Sequence, residues 1–178
     1  MTQFLNAKLR AYRKDEDGSM VIPVALWVPF FIMILLCALE LGMLTVRHTV
    51  LERSLDTTVR EIRLGTGSSF QHDDIKASIC ARSPVLYNCD ENLKLEMTRR
   101  DLRSWQGISG RANCEDQAEN ADPVREFTSG QDNQLMVLRA CYLFNPISPA
   151  SLFGDALLKN AQGESALIAT SAFVQEPR

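Results

Sequence analysis

The sequence predicts an α+β fold in which one long N-terminal helix packs on a small antiparallel β-sheet. Three observations predict it. The run Gly18–Leu39 has 22 residues and no charge. An apolar stripe at helical spacing follows this run, and three later segments have the composition or alternation of strands. We therefore expect the first half of the helix to be apolar on every face and the second half on one face only.

The uncharged run has the length of a membrane-spanning helix. About 20 residues, rising 1.5 Å each, cross the hydrocarbon core of a bilayer. A cleavable secretory signal is the alternative, but its apolar region is only about 7–15 residues long and ends at a small-x-small site. Because the run is longer than that and leads without a break into more helix, we expect a retained transmembrane helix over 18–46.

The residues before the run predict the orientation of the span. Residues 1–17 form a polar tail with four basic side chains: Lys8, Arg10, Arg13 and Lys14. Basic residues accumulate in the cytoplasmic segments that flank membrane helices. We therefore expect a cytoplasmic tail over 1–17 and a domain over 66–178 on the other side of the membrane.

Glu40 is the first charged residue after the run, and two interpretations of it are open. If the span is centred early, its carboxylate lies at the outer interface and reaches water. If the span is centred late, Glu40 is an intramembrane carboxylate. Such groups are costly and are usually functional, for example in a contact with a partner subunit.

The helix is expected to continue beyond the span as an amphipathic segment over 47–65. Its apolar residues recur at steps of three and four: Leu51, Leu55, Val59 and Ile62. Gly65 follows Leu64 as a C′ glycine does at the end of a helix. The pattern predicts one helix from Ser19 to Leu64, which would hold the following domain outside the membrane.

The domain is expected to contain three strands and two short helices. The first strand alternates over 93–98, the second is Leu135–Phe144, and the third is Ala166–Val174. Three consecutive strands favour an antiparallel meander on the amphipathic half of the long helix. The short helices are expected from His72, ending before Pro84, and near Leu152–Lys159. Residues 107–133, rich in Gly, Asn, Asp and Gln, are expected to form a long loop tied by Cys114.

Five cysteines bear on the compartment. Cys37 lies in the span, and the other four lie beyond it: Cys80, Cys89, Cys114 and Cys141. An even number outside the span predicts two disulfides and an oxidising compartment. Four cysteines allow three pairings, of which sequence order favours Cys80–Cys89 with Cys114–Cys141. The alternative is four reduced, buried thiols that act as small apolar side chains.

The sequence carries no motif of an enzyme. No nucleophile elbow, phosphate-binding loop, H-E-x-x-H or paired C-x-x-C is present, so we expect no catalytic residues, no cofactor and no metal. Asp73 and Asp74 beside His72 are typical of a helix N-terminus. A net charge of −3 offers no basic field for nucleic acid.

The N-terminal part of the chain resembles the TadE/TadF-like proteins of the tight-adherence (Tad, Flp or type IVc) pilus system. Those proteins share a charged tail, a glycine, an apolar stretch with proline, an E-L-G step and an amphipathic helix. Here these are Arg13–Asp17, Gly18, Pro29 and Glu40-Leu41-Gly42. The resemblance covers residues 1–65, and the segment ACYLFNPISP (140–149) is similar to the strand-then-proline stretch near the end of such domains.

The resemblance implies a pilin-like fold and a minor pseudopilin, which is a non-enzymatic subunit anchored in the bacterial inner membrane with its domain in the periplasm. Its implied partners are other pilins and pseudopilins, which would surround the apolar half of the helix, and the Tad inner-membrane platform. A prepilin peptidase would cut after Gly18 and leave Ser19 as the new N-terminus. The sequence departs from the pattern at Pro23, where pilin-like sequences usually carry a glutamate.

An anchored periplasmic binding or sensor domain unrelated to pili is the alternative function. Such a protein would show the same span and stalk, but it should also carry a ligand pocket in its domain.

Overall fold

The structure, a computed structural model, describes residues 12, 20–64, 71–101, 103–104, 114, 133–148 and 152–175. The elements in chain order are α1 (Val21–Leu64), α2 (His72–Ala81), α3 (Cys89–Asn92), β1 (Leu93–Arg100), β2 (Leu135–Phe144), α4 (Leu152–Ala156) and β3 (Ser165–Val174). The predicted α+β fold is confirmed, because α1 packs on a three-stranded antiparallel sheet of order β1-β2-β3.

The long helix α1 has 44 residues, which makes it about 66 Å long at the standard rise. It ends at Leu64, as the sequence predicts, while the predicted start at Ser19 lies outside the described residues. Pro23 occupies the first turn, where backbone N–H groups have no acceptor within the helix. Pro29 lies in the helix interior, so the carbonyl of Ala25 loses its usual donor there.

The amphipathic half of α1 forms one side of the core. All four residues of the predicted stripe are buried, each at most 5 % exposed: Leu51, Leu55, Val59 and Ile62. They belong to the same cluster as Ile75 and Ile79 of α2, which are fully buried. Burying a large aliphatic side chain contributes about 2 kcal/mol to stability. The stripe is therefore the surface on which the domain is assembled.

The sheet supplies the other side of the core. β2 is the central strand and pairs with both neighbours in antiparallel register, with Leu95 opposite Ala140 and Ala140 opposite Ala169. Alternate residues of each strand join the helix stripe in one cluster: Leu93, Leu95 and Met97 of β1, Met136, Leu138, Ala140, Tyr142 and Phe144 of β2, and Leu167, Ala169 and Phe173 of β3. The predicted antiparallel meander is thus confirmed.

The other face of β2 is buried as well, which explains why the strand is apolar almost throughout. Cys141 and Leu143 on this face cluster with Cys114. The one charged residue of the strand, Arg139, places its guanidinium 3.4 Å from the carboxylate of Glu96 on β1. The side of β2 away from α1 is therefore also shielded from solvent, with Cys114 against Cys141 and Leu143.

Two disulfides are present, Cys80–Cys89 and Cys114–Cys141, which is the pairing that sequence order favours. The first joins α2 to the start of α3, and the second ties Cys114 to β2. Closing a loop in this way typically contributes about 2–4 kcal/mol. Cys37 carries a free thiol.

Three boundaries differ from the sequence prediction, and the short helix α3 was not predicted. The strand β1 runs to Arg100, two residues beyond the predicted alternation. The helix predicted over Leu152–Lys159 ends at Ala156, because the chain turns at Asn160–Gly163 and Lys159 forms a bridge to Ser165. The strand β3 accordingly begins at Ser165, one residue earlier than predicted. The predicted loop over 107–133 lies outside the described residues except for Cys114 and Asn133.

Tyr142 makes the stability of the fold depend on pH in the alkaline range. Its hydroxyl donates a hydrogen bond of 2.7 Å to the backbone carbonyl of Tyr87, and the side chain is almost fully buried. Burial raises the pKa of Tyr142 above its ordinary value of 10.0. The folded state therefore holds the phenol proton more tightly than the unfolded chain does. Its contribution to stability is complete below pH 10 and is lost as the pH rises through the folded-state pKa.

We expect Tyr142→Phe to lower the free energy of unfolding by about 1 kcal/mol at neutral pH, the usual contribution of one hydrogen bond. Its stability should also fall less steeply than that of the wild type above pH 10. Urea unfolding across the alkaline range measures both effects. Tyr87→Phe is the matched control, because that side chain is exposed and only its backbone carbonyl takes part. Parallel alkaline profiles for the wild type and Tyr142→Phe would contradict this prediction.

Candidate membrane anchor and the Glu40 contact

The first half of α1 presents large apolar side chains to its surroundings on several faces. The exposed residues include Leu26, Trp27, Phe30, Phe31, Ile34 and Leu39. Within the described part of the chain, α1 is the one helix that is long and apolar enough to cross a membrane by length and composition. Exposed side chains of this kind are unfavourable in water. The apolar half of α1 therefore has the surface of a membrane anchor.

One face of this apolar half is covered by the chain itself. Met33, Cys37, Glu40 and Leu44 recur at steps of four and three residues, and all are at least partly buried. This covered face continues into the core stripe at Leu51. The sequence predicted that the strands would cover only the stripe from Leu51 to Ile62. That prediction is too narrow, because the covered face begins at Met33, about five turns below Leu51.

Glu40 is the centre of this covered face, and its side chain is only 2 % exposed. One carboxylate oxygen, Oε1, accepts the backbone N–H of Ile147 at 3.1 Å. The other, Oε2, accepts the backbone N–H of Ser148 at 2.9 Å. Hydrogen bonds to a charged acceptor are stronger than those between neutral groups. Glu40 therefore holds the segment after β2 against the helix.

Of the two interpretations that the sequence leaves open for Glu40, one does not fit its position. A carboxylate that simply reaches water does not fit, because both oxygens are bound within the chain. A contact between Glu40 and a partner subunit stays a prediction. Sequence reasoning missed the intrachain contact, and the sequence carries only part of a signal for it. Pro146 and Pro149 have no N–H group, so Ile147 and Ser148 are the two adjacent donors that lie between them.

Two further residues of α1 attach the domain to the helix about two turns above Glu40. The guanidinium of Arg47 lies over the ring of Phe144, 5.3 Å from its centre, in a cation–π contact. His48 places Nε2 3.4 Å from the backbone carbonyl of Ile168 in β3. The attachment therefore combines a carboxylate, a guanidinium and an imidazole along one face of the helix.

An apolar groove of about 580 Å³ lies beside this attachment. Its walls are residues of α1 on one side and of the segment after β2 on the other: Val28, Pro29, Ile32, Met33 and Leu36, with Ser148 and Leu152. The lining has no charged side chain, so the groove is suited to hydrocarbon rather than to a polar ligand.

The other predicted site residues are the processing site and the four cysteines of the domain. Gly18 and Ser19, the predicted processing site, lie outside the described residues. The four cysteines of the domain form the two disulfides given above. Among the described side chains, no group of three or more His, Cys, Asp or Glu is placed to hold a metal ion. Comparison of the chain with protein-family models, with curated proteins and with solved structures finds no match.

Proposed function

We propose that this chain is a TadE-like minor pseudopilin that takes part in assembling Tad/Flp (type IVc) pili. It would be a non-enzymatic structural or assembly subunit of the bacterial inner membrane. Residues 1–17 would lie in the cytoplasm and the domain in the periplasm. The proposal rests on one observation, which is that the two halves of α1 have different surroundings. One continuous helix exposes apolar side chains on several faces of its first half and buries one face of its second half in its own domain.

This architecture suits a subunit that assembles through its membrane helix. Helices in a bilayer associate by close van der Waals packing, in which small residues allow backbones to approach. Gly42 lies on α1 where an added Cβ would meet no atom within 4 Å. The chain's own fold therefore does not require a glycine there. A neighbouring helix of another pilin, of a pseudopilin or of the inner-membrane platform would explain it.

The disulfides and the basic tail support the proposed orientation. Disulfides persist in oxidising compartments such as the periplasm. Basic residues in 1–17 favour a cytoplasmic tail. Genes for a secretion ATPase, a membrane platform and a prepilin peptidase beside this one would add independent support.

The test is the output of surface pili from a strain that lacks the gene, complemented with variants of the protein. We expect loss of pili on deletion, recovery with the wild type, and reduced pili with Gly42→Leu. The domain of Gly42→Leu should remain as stable as the wild type, because the added side chain points into open space. Gly42→Ala is the matched control and should preserve most of the output, because it adds a single methyl group.

Normal pili in the deletion strain would overturn the proposed function and favour the anchored binding or sensor domain. Normal pili with Gly42→Leu alone would leave the subunit role in place but would contradict helix packing at this position.

A further inference from the structure

After β2 the chain runs along α1 toward the N-terminus of the helix, a direction that we call downward. The ring of Phe144 lies against Arg47, and the N–H groups of Ile147 and Ser148 meet Glu40. Leu152 then lines the groove together with Ile32 and its neighbours. The helix rises 1.5 Å per residue, so the path from Arg47 to Ile32 covers about 22 Å along its axis. We call residues 145–148 together with α4 the descending segment.

The charged residues before the uncharged run determine which residues of α1 can lie within the hydrocarbon core of a bilayer. Five consecutive charged residues, Arg13–Asp17, cannot lie in hydrocarbon without a large cost. The hydrocarbon core then begins near Gly18 and extends over about 20 residues. It therefore ends near Cys37, and the headgroup region of the outer leaflet covers about the next four or five residues. Ile32 lies inside this range, about 10 Å below the end of the run at Leu39. A bilayer spanned by α1 thus also surrounds the part of the chain that packs on Ile32.

The side chains of the descending segment suit that position. The chain carries no charged residue from Ala140 to Gly154. Ile147 and Leu152 expose more than half of their surface, 58 % and 66 %. The next charged residue is Asp155, which lies 3.9 Å from the ammonium group of Lys159. The uncharged stretch therefore ends within α4, where the chain begins its return to the sheet.

The backbone N–H groups at the start of the segment also suit a medium without water. Non-helical backbone at membrane depth is tolerated only where its polar groups find partners in the protein or line a wet cavity. Pro146 and Pro149 have no N–H group to satisfy. The N–H groups of Ile147 and Ser148 donate to Glu40. The donors from 146 to 149 are thus accounted for without water.

We propose that the descending segment is embedded in the outer leaflet of the bilayer, and that lipid acyl chains fill the groove between it and α1. The protein then contacts the membrane at two places, through the span and through this segment. Glu40 lowers the cost of insertion by holding the two backbone donors. The inference rests on α1 crossing a membrane and not on any role in pili.

The experiment uses the full chain in vesicles of phosphatidylcholine and phosphatidylglycerol. Cys37 is replaced by serine, and a nitroxide label is attached to one new cysteine at a time. Leu152→Cys and Ile147→Cys report on the descending segment. Ile34→Cys reports on the span, and Tyr87→Cys on an exposed loop of the domain; both side chains are well exposed. Resistance of each variant to protease verifies that the domain is folded.

The measurement is the ratio of the label's collision rate with oxygen, which partitions into lipid, to that with a water-soluble nickel chelate. We expect the ratio at Leu152 to resemble that at Ile34. The ratio at Ile147, which lies at the height of Glu40, should fall between those at Ile34 and Tyr87. Ratios at both segment positions equal to that at Tyr87, with a lipid-like ratio at Ile34, would overturn the proposal and leave the span intact. A water-like ratio at Ile34 would overturn the span and the proposal together.

Discussion

Replacing Leu55 with aspartate is expected to unfold the domain that packs on α1. Leu55 is 1 % exposed and lies in the middle of the core stripe, among side chains of the sheet and of α2. An unpaired carboxylate there must either remain ionised in an apolar medium or take up a proton. The lost packing and the buried polar group together should cost about 5 kcal/mol, which is comparable with the whole stability of a small domain.

Leu64→Asp is the matched control for this substitution. Leu64 lies on the same helix but is 73 % exposed, so the same chemical change should cost less than about 1 kcal/mol. Limited proteolysis and thermal unfolding of the detergent-solubilised protein measure both variants. A protease-resistant Leu55→Asp domain that melts with the wild type would show that the stripe does not face the core.

Replacing Glu40 with alanine is expected to release the descending segment from α1. The substitution leaves the N–H groups of Ile147 and Ser148 without their acceptor. Each of these partly buried hydrogen bonds to a charged group contributes about 1–2 kcal/mol, so the combined loss is roughly 2–4 kcal/mol. The sheet core does not depend on this contact. The loss should therefore appear as local opening, with the disulfide-linked core still folded.

Hydrogen–deuterium exchange followed by mass spectrometry measures this opening. Peptides that cover 144–152 should exchange faster in Glu40→Ala, while those of β2 and β3 should change little. Glu52→Ala is the control, because Glu52 is an exposed carboxylate on the same helix. Glu40→Gln should give an intermediate result, since its amide keeps one acceptor oxygen. Unchanged exchange at 144–152 in Glu40→Ala would contradict the observed contact as a source of stability.

Much of the fold could be predicted because its helices and strands follow from the local spacing of apolar residues. Steps of three and four residues from Leu51 to Ile62 predict the buried face of the helix, and alternation at Leu93, Leu95 and Met97 predicts a half-buried strand. Gly65 predicts the helix end at Leu64. These signals need only neighbouring residues, so no knowledge of the tertiary structure is required.

The Glu40 contact could not be predicted in the same way. It joins residues that are 107 and 108 positions apart, and neither partner contributes a side chain to it. Backbone donors have no sequence signature of their own. The two prolines that surround them indicate few free donors, but not the acceptor that binds them. The covered face within the uncharged run could not be predicted either. Met33 and Cys37 on that face are apolar, as are the exposed residues around them.

The position of Pro29 has a mechanical consequence for α1. From Met33 upward, one side of the helix is braced by the domain, whose contacts resist bending. Pro29 lies four residues below Met33 and leaves the carbonyl of Ala25 without its helical donor, which weakens the rod at that point. A lateral force on the lower span would therefore be absorbed by bending near Pro29. The braced part of the helix and its domain would turn together as one stiff lever.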